Sequence, residues 1–349
     1  MADRKETITE TIATRVLPPT KENIEAAGAV IRRGGLVAFP TETVFGLGAD
    51  ALNAAAVKKV YEAKGRPSDN PMIVHIAAAP ELAALTDQHD GMLEQITRAF
   101  WPGPLTVVVR KRSVVPATTT GGLDTVAVRN PESTIARELI RASGTPIAAP
   151  SANISGRPSP TKTEHVIHDL QGKIDVILSG PDCRVGIEST VLDMSEGHPV
   201  ILRPGIITPE EIGAVCGQTA ELDPTLRQRP TEEERRDPAQ FHPKAPGMKY
   251  KHYAPQAEMV IFEGSPSAVR RRIEEAKAAQ EQAGKKVGVI LFGEHDFARA
   301  AHDLFADLRR QDEEGVDLIL AGALSDQNSV GFAVMNRMLK SAGYHVIKV

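Results

Sequence analysis

Strand-like and helix-like segments alternate along nearly the whole chain, and no other feature of the sequence constrains the fold as strongly. Residues 36–39 (LVAF) are apolar on both faces, as in a buried strand. A helical pattern then runs from the N-cap Asn53 to the stop signal Gly65, and a second apolar run, MIVHI, occupies 72–76. Because strands that alternate with helices usually pair in parallel, this order predicts an α/β fold with doubly wound sheets.

One segment breaks the alternation and divides the chain into two predicted domains. The chain has 349 residues, which is about the length of two domains. Six prolines fall between residues 224 and 255, with the charged run TEEERRD among them, as in a linker. We therefore predict a larger α/β domain over 1–217, a linker over 218–257 and a smaller parallel α/β domain over 258–349.

The totals argue against several classes of protein. The formal net charge is −4, so no overall basic field would draw the chain to nucleic acid, although a local basic patch is compatible with it. Two cysteines, Cys183 and Cys216, are too few for a disulfide framework and lack metal-ligand spacing, which favours a reducing, cytoplasmic setting. The polar N-terminal segment has no apolar core of a signal peptide, and no apolar run approaches the ~20 residues of a membrane helix.

The segment KGRPSDNP (64–71) places Lys64, Arg66, Ser68 and Asn70 on alternate positions where a helix ends. One interpretation is structural, because cations are favoured at a helix C-terminus. The two prolines support another, since a stiff backbone would aim several donors at one place, and Lys and Arg donors together suit a polyphosphate. His75, on the strand that follows, is explained equally well as a structural residue or as a ligand contact.

Polar residues accompany other predicted strands in the same way. The segments PTETVFGLG (40–48) and APSANISG (149–156) each follow an apolar run, and the first is explained equally well as a turn with local threonine hydrogen bonds. Ser189 begins a strand, whereas Arg129 and Arg203 end strands. Because ligands bind beyond the carboxyl ends of parallel strands, such clusters in one domain predict a large anion-binding cavity.

Common nucleotide-binding and hydrolase motifs are weak or absent in the sequence. GLGADA (46–51) fits G-x-G-x-x-A, but PTETVF separates it from the preceding strand, so close backbone approach explains Gly46 and Gly48 better. The chain has no G-x-x-x-x-G-K-[ST] loop, and GIEST (186–190) places its serine one position too late for a nucleophile elbow. Neither H-E-x-x-H nor a cysteine cluster indicates zinc.

Seven motifs occur in an order that resembles the threonylcarbamoyl-AMP synthase family in its long form: PTET-x-x-GLG, K-x-R-x-S-x-N-P-x-x-x-H, VRNP, SAN-x-SG, ESTV, LRPG and PGMKYKHYAP. The resemblance covers nearly the whole chain. It implies a YrdC-like catalytic domain with a twisted α/β sheet and a large cavity, then a linker or lid, and a smaller Rossmann-like parallel domain. One departure is Phe45, where the family usually has Tyr, so we expect no polar role for Phe45.

The resemblance also implies a reaction. L-threonine, bicarbonate and ATP would give L-threonylcarbamoyladenylate and pyrophosphate, with Mg²⁺ carried by the ATP. A downstream transferase complex would then pass the threonylcarbamoyl group to tRNA. Attack of one anion on another requires charge neutralisation and alignment rather than a protein nucleophile, which suits a cavity of cations and small donors. We further expect weak tRNA binding at most and no association with a membrane.

The motifs assign the predicted site residues. The cations expected to hold the phosphates are Lys64, Arg66, Arg129 and Arg203, of which Lys64 and Arg66 are the predicted catalytic residues. By the resemblance, the other ATP contacts are Asn70, Ser151, Asn153, Ser189, Tyr250 and Tyr253. The residues expected to hold threonine are Thr41, Thr43, His75, Arg129 and Ser189. No residue is assigned to a protein-bound metal.

Tyr250, His252 and Tyr253 resemble a lid that closes on the nucleotide and excludes water from a labile mixed anhydride. The second domain carries no catalytic motif, and we expect a regulatory or structural role for it. Two other functions stay open. One is an RNA-binding module whose affinity would fall steeply with salt. The other is a different carbamoyl-adenylate enzyme, such as a hydrogenase-maturation carbamoyltransferase, which would usually add zinc-binding and acylphosphatase-like segments.

Overall fold

The structure is a computed structural model that describes residues 12–226, 252–325 and 329–349. Two sheets organise it, one of eleven strands and one of four, and helices cover both. The predicted α/β architecture with a large and a small domain is confirmed.

The first domain is built on the eleven-stranded sheet. Its strands are, in chain order, β1 (Arg15–Leu17), β2 (Val37–Phe39), β3 (Gly46–Asp50), β4 (Ile73–His75), β5 (Leu105–Arg110), β6 (Thr125–Arg129), β7 (Ile147–Ala148), β8 (Val176–Leu178), β9 (Thr190–Asp193), β10 (Val200–Arg203) and β11 (Glu221–Leu222). Across the sheet they lie in the order β1-β8-β2-β3-β7-β4-β6-β5-β9-β10-β11. Because β11 pairs with β10, the first sheet extends beyond residue 217 into the range predicted as a linker. The other predicted domain limits stay predictions.

The first sheet is mixed, so the prediction of a parallel sheet is wrong for this domain. Five of its pairings are antiparallel, namely β2–β3, β3–β7, β4–β7, β5–β6 and β9–β10. The physical reason is visible in the connections. The loops between β2 and β3, β5 and β6, and β9 and β10 contain no helix that could carry the chain back for parallel pairing.

Strand β3 was not predicted, because its sequence GLGAD is poor in residues that favour strands. Its glycines are explained by contact distances. A Cβ at Gly48 would lie 2.6 Å from Cγ2 of Ile147 and 2.8 Å from Cε1 of Phe39, and one at Gly46 would lie 3.2 Å from Cζ of Phe39. Close backbone approach, as predicted, is therefore what these positions require.

Within residues 12–226, six α-helices pack against the first sheet, together with two short 3₁₀ helices (Ala79–Ala84 and Pro224–Leu226). The α-helices are α1 (Lys21–Arg32), α2 (Ala54–Lys64), α3 (Gly91–Phe100), α4 (Thr134–Ser143), α5 (Thr163–Leu170) and α6 (Pro209–Cys216). Local signals set several of their limits: the side chain of Asn53 caps α2, and Gly65 ends it with φ at 62°. Alternate residues of LVAF enter different apolar clusters, Leu36 and Ala38 in one and Val37 and Phe39 in another, so both sheet faces are covered.

The second domain has a four-stranded sheet whose pairings are all parallel, as predicted. Its strands are β12 (Glu258–Glu263), β13 (Val287–Ile290), β14 (Leu318–Gly322) and β15 (Val346–Lys348), in the order β13-β14-β12-β15. Its helices are α7 (Pro266–Gln282), α8 (Phe297–Glu314) and α9 (Val330–Ser341).

An apolar cluster joins the two domains. Val185 and Ile187 of the first domain pack in the same cluster as Phe305 and Tyr253. Between them Gly186 adopts a φ of 82°, and a Cβ there would lie 2.4 Å from the Cα of His302. The second domain therefore rests directly on the segment that precedes Ser189, and this contact bears on the site.

Within residues 12–226, 252–325 and 329–349, no helix combines the length and the apolar character needed to cross a bilayer.

Candidate active site

The polar strand and helix ends of the first domain surround one cavity of about 710 Å³, counting the space at its mouth. Most of the predicted site residues line it, namely Thr41, Thr43, Lys64, Arg66, His75, Arg129, Ser151, Asn153, Ser189, Arg203 and Tyr253. Of the others, Asn70 is not among the lining residues, and Tyr250 lies outside the described residues. The cavity also has wall residues that we did not predict, including Glu188 and Arg157.

Lys64 is the last residue of α2, and its side chain is 2% exposed. Its Nζ donates to the carbonyl oxygen of Ser151 at 2.5 Å and to that of Asn153. Burial, and then the neighbouring Arg66, hold the pKa of Lys64 well below its ordinary value of 10.5. A bound anion would restore the charged form, because an opposite charge nearby favours ionisation.

Arg66 follows the helix end and turns back onto its own segment. Its Nη2 donates to the carbonyl oxygen of Pro71 at 3.0 Å, and its buried Nε has no partner among the described residues. Burial lowers the pKa of Arg66 to about 10. Asn70 is buried, its Oδ1 has no partner among the described residues, and its carbonyl accepts from Tyr61 at 3.1 Å, so its contact with ATP stays a prediction.

Arg129 is held by a carboxylate that sequence reasoning did not single out. Its Nη2 lies 2.6 Å from Oε1 of Glu42, both side chains are about 95% buried, and its Nη1 donates to Oγ1 of Thr43 at 2.9 Å. Thr41 accepts from or donates to Thr43 at 2.9 Å. The threonines therefore do form local hydrogen bonds, and they also line the cavity. Glu42 belongs to the quoted PTET motif, which was the available signal.

Ser189 and Arg203 form a second buried pair on the wall. Arg203 donates through Nε and Nη2 to the carbonyl oxygen of Ser189 at 3.1 and 2.9 Å, and Nη2 also reaches its Oγ at 3.1 Å. The Oγ of Ser189 lies 2.8 Å from Oγ1 of Thr106. These contacts fix the guanidinium of Arg203 beside the start of β9, and among the described residues no carboxylate is hydrogen-bonded to it.

His75 and the turn after β7 complete the first-domain wall. Nδ1 of His75 lies 3.2 Å from the carbonyl oxygen of Ile73, and burial, followed by the charge of Arg129, lowers the pKa of His75 to about 3. His75 is therefore neutral at ordinary pH. In the turn, Oγ of Ser151 donates to Oδ1 of Asn153 at 2.5 Å. The side-chain nitrogen Nδ2 of Asn153 donates to the carbonyl oxygens of Ile154 and Arg157.

Two residues that precede β12 also reach the cavity. Tyr253 and His252 line it, and Tyr253 stacks on Phe305 of the second domain with ring centroids 5.1 Å apart. Nε2 of His252 is buried and has no partner among the described residues. Most of the predicted lid, residues 227–251, lies outside the described part of the chain, so the lid hypothesis stays a prediction.

Glu188 is a further wall residue that sequence reasoning missed as a site residue. Its Oε1 accepts from Oγ of Ser159 at 2.6 Å, and its Oε2 accepts from Nε of Arg337 at 3.1 Å. Arg337 lies on α9 of the second domain, and nothing in the sequence signalled that it would reach this wall.

A family model described as "Telomere recombination" matches residues 29–205, and one described as "Threonylcarbamoyl-AMP synthase, C-terminal domain" matches residues 207–343. Threonylcarbamoyl-AMP synthase of Pyrococcus abyssi is 50% identical over 336 residues, which are 93% of this chain and 96% of that protein. The chain belongs to the threonylcarbamoyl-AMP synthase family. The predicted resemblance is thereby confirmed.

Other members of the threonylcarbamoyl-AMP synthase family support the same assignment. The Bacillus subtilis enzyme is 45% identical over 352 residues, which cover 96% of this chain and 97% of that one. The crystal structure of Pyrococcus abyssi Sua5 complexed with L-threonine superposes with a TM-score of 0.87 at 48% identity, covering 97% of this chain and 99% of that one. These matches agree with the family model in covering nearly the whole chain.

Proposed function

We propose that the chain converts L-threonine, bicarbonate and ATP into L-threonylcarbamoyladenylate and pyrophosphate, which would place it among the nucleotidyltransferases. The amine of threonine would capture bicarbonate and release water, giving an N-carboxy group. A carboxylate oxygen of that group would attack the α-phosphate, and pyrophosphate would leave. The names of the matched enzymes and the threonine complex of the Pyrococcus abyssi relative support this reaction.

One observation carries the proposal: three cations of the cavity bond only neutral oxygens in the hydrogen bonds of the described residues. Lys64 donates to carbonyl and amide oxygens, Arg66 to carbonyl oxygens, and Arg203 to the carbonyl and hydroxyl oxygens of Ser189. Burying charge without a counter-ion is unfavourable, so a cavity of this kind favours an anionic ligand. The triphosphate of ATP supplies that charge, and Lys64 and Arg66 would stabilise it during the attack.

The two halves of the wall would bind different substrates. The ATP half would use Lys64, Arg66 and Arg203, with Ser151, Asn153, Ser189 and Tyr253 as further contacts. The threonine half would use Thr41, Thr43, His75 and Arg129, and Ser189 would lie between the halves. A neutral His75 would act as a hydrogen-bonding group rather than as a cation.

Mg²⁺ would enter as part of the substrate, bound to the triphosphate of ATP. The described residues contain no group of three or more His, Cys, Asp or Glu side chains suited to a metal ion. Glu188, the carboxylate of the wall, already accepts from Ser159 and Arg337. The residues that the structure describes therefore do not fit a metal site of their own, and no step of the proposal is assigned to one.

The product would be passed to a tRNA threonylcarbamoyl transferase complex, because a mixed carbamic–phosphoric anhydride is labile and needs an acceptor. Transient, weak tRNA binding would accompany this transfer, in a cytoplasmic setting. The sequence support for this part is the net charge of −4, which disfavours tight binding to nucleic acid.

The test is pyrophosphate release from MgATP with L-threonine and bicarbonate each present or omitted. Release that requires both substrates is the expected result. L-serine in place of L-threonine is a matched substrate control for the side-chain methyl group. Release without threonine would show that the cavity serves a different acceptor, and no release under any condition would overturn the proposed reaction.

A further inference from the structure

Two buried arginines of the second domain reach the first domain behind the cavity. Arg309 on α8 donates to Oδ2 of Asp169 at 2.8 Å and to the carbonyl oxygen of Pro158 at 2.7 Å. Arg337 on α9 is completely buried and donates to Oε2 of Glu188 at 3.1 Å. Neither contact was suggested by a motif, and the second one touches a residue of the cavity wall.

Arg337 bonds both chain segments that carry the Ser189–Arg203 pair. Besides the carboxylate of Glu188, its guanidinium donates to the carbonyl oxygens of Glu188 and of Pro204. Glu188 directly precedes Ser189, and Pro204 directly follows Arg203. One side chain of the second domain therefore fixes the two backbone segments whose separation sets where Arg203 points.

Charge gives Arg337 a second effect on the same wall. Glu188 lies close enough to Arg203 for their charges to interact, yet the hydrogen bonds of Arg203 go to Ser189. Arg337 supplies the counter-charge that Glu188 requires in a buried place. Without it, the carboxylate would compete with an incoming phosphate for Arg203.

We propose that Arg337 is a positioning residue through which the second domain sets the phosphate-binding geometry of Arg203 and Ser189. The proposal rests on the proposed function, since it concerns the ATP half of that cavity. It gives the second domain a specific role in substrate binding, beyond a general structural one.

Arg337→Met tests the proposal, because it removes the charge and the hydrogen bonds while keeping an extended side chain. The expected result is an ATP KM raised about tenfold or more, as for loss of a well-formed phosphate contact. The L-threonine KM should rise clearly less than the ATP KM, because Thr41 and Thr43 bond Arg129 and Val44 rather than this pair, and Ser189 is the one proposed threonine contact that Arg337 would position. A purely structural role would instead lower the active fraction, so that kcat falls and both KM values stay unchanged.

The matched control is Arg310→Met, which removes an exposed arginine one position after Arg309 on α8. Arg310 pairs with Asp307 and Glu314 on the surface, so its loss should leave both KM values unchanged. If Arg337→Met does not fold, Arg337→Lys retains the cation but not the guanidinium fork, and an intermediate rise of the ATP KM is expected. Thermal unfolding of each variant establishes that it is folded.

Calorimetric binding of α,β-methylene-ATP separates the two possible failures, since it does not depend on turnover. Weaker binding by a folded Arg337 variant supports the positioning role even if wild type releases no pyrophosphate. If the wild type makes the adenylate and the Arg337 variants bind the analogue and both substrates as tightly as the wild type does, the positioning role is overturned and the proposed function stands. Equal weakening for ATP and threonine would also overturn it.

Discussion

Replacing Glu42 with Gln tests whether the buried Glu42–Arg129 pair supports the cavity. The pair is 2.6 Å long, and its side chains are 5% and 4% exposed. Glu42→Gln keeps the shape of the side chain but leaves the Arg129 guanidinium buried without a counter-charge. Removing one partner of a buried ion pair typically costs about 3–5 kcal/mol, and since Gln still accepts a hydrogen bond we expect about 3 kcal/mol.

The matched control is Glu132→Gln, which breaks a pair of the same residue types on the surface. Glu132 lies 2.5 Å from Arg184, but these side chains are 49% and 66% exposed, so the loss should stay below about 1 kcal/mol. Urea unfolding followed by tryptophan fluorescence is suited to the comparison. Trp101, the only tryptophan of the chain, is buried in the first domain and reports on that domain.

The pH dependence gives the comparison a second arm. Burial disfavours the charged form of Glu42, but attraction and a hydrogen bond from Arg129 outweigh it, and the pKa is lowered from 4.5. A lowered folded-state pKa contributes stability that is present above pH 4.5 and is lost as the pH falls through the folded value. Wild type and Glu42→Gln should therefore converge in acid. Equal losses for Glu42→Gln and Glu132→Gln at pH 7 would refute the reasoning.

Three further predictions concern packing, pH and phosphate binding. Gly48→Ala should lower the free energy of unfolding by about 1–3 kcal/mol in urea titrations, because the new Cβ would lie 2.6 Å from Cγ2 of Ile147. Gly91→Ala is the control and should not destabilise, because no atom lies within 4 Å of its new Cβ. The pKa of His75 is about 3 in the folded protein against an ordinary value of 6.5, so below pH 6.5 the unfolded state binds more protons than the folded state. Lowering the pH from 7 to 5 should therefore reduce the free energy of unfolding by about 2 kcal/mol. A folded His75→Asn variant should not show this loss. Arg66→Ala should raise the ATP KM or lower kcat about tenfold or more, and steady-state kinetics like those of wild type would remove Arg66 from the site.

Local signals in the sequence were sufficient where the structure is determined locally. The side chain of Asn53 caps α2 as predicted, and Thr208 begins α6 with a reciprocal capping box to Glu211. Strand direction was not predictable in this way, because it depends on which segments meet across the sheet. Strand β3 pairs antiparallel with β2 and β7, and its glycine-rich sequence gives no strand signal of its own.

The composition of the site could be predicted, but the partners of its residues could not. The motifs bring Lys64, Arg129 and Ser189 to one cavity as expected. The side chains that hold them are distant in sequence, with Arg129 bonded to Glu42 and Glu188 bonded to Arg337. A single sequence contains no signal for such pairs, since each partner is an ordinary charged residue until the fold brings it near.

These partners change the role that the residue types alone suggested for Arg129. The sequence grouped Arg129 with Lys64, Arg66 and Arg203 as phosphate ligands, and the resemblance also placed Arg129 among the threonine contacts. In the structure Arg129 is neutralised by Glu42, whereas the hydrogen bonds of the other three go to carbonyl, amide or hydroxyl oxygens. A neutralised guanidinium beside Thr43 suits the incoming threonine zwitterion, which carries no net charge, while three cations with no carboxylate bonded to them among the described residues suit a polyphosphate. Under the proposed function, this division of charge would favour a place for Arg129 on the threonine side of the cavity and would leave the phosphates to the other three cations.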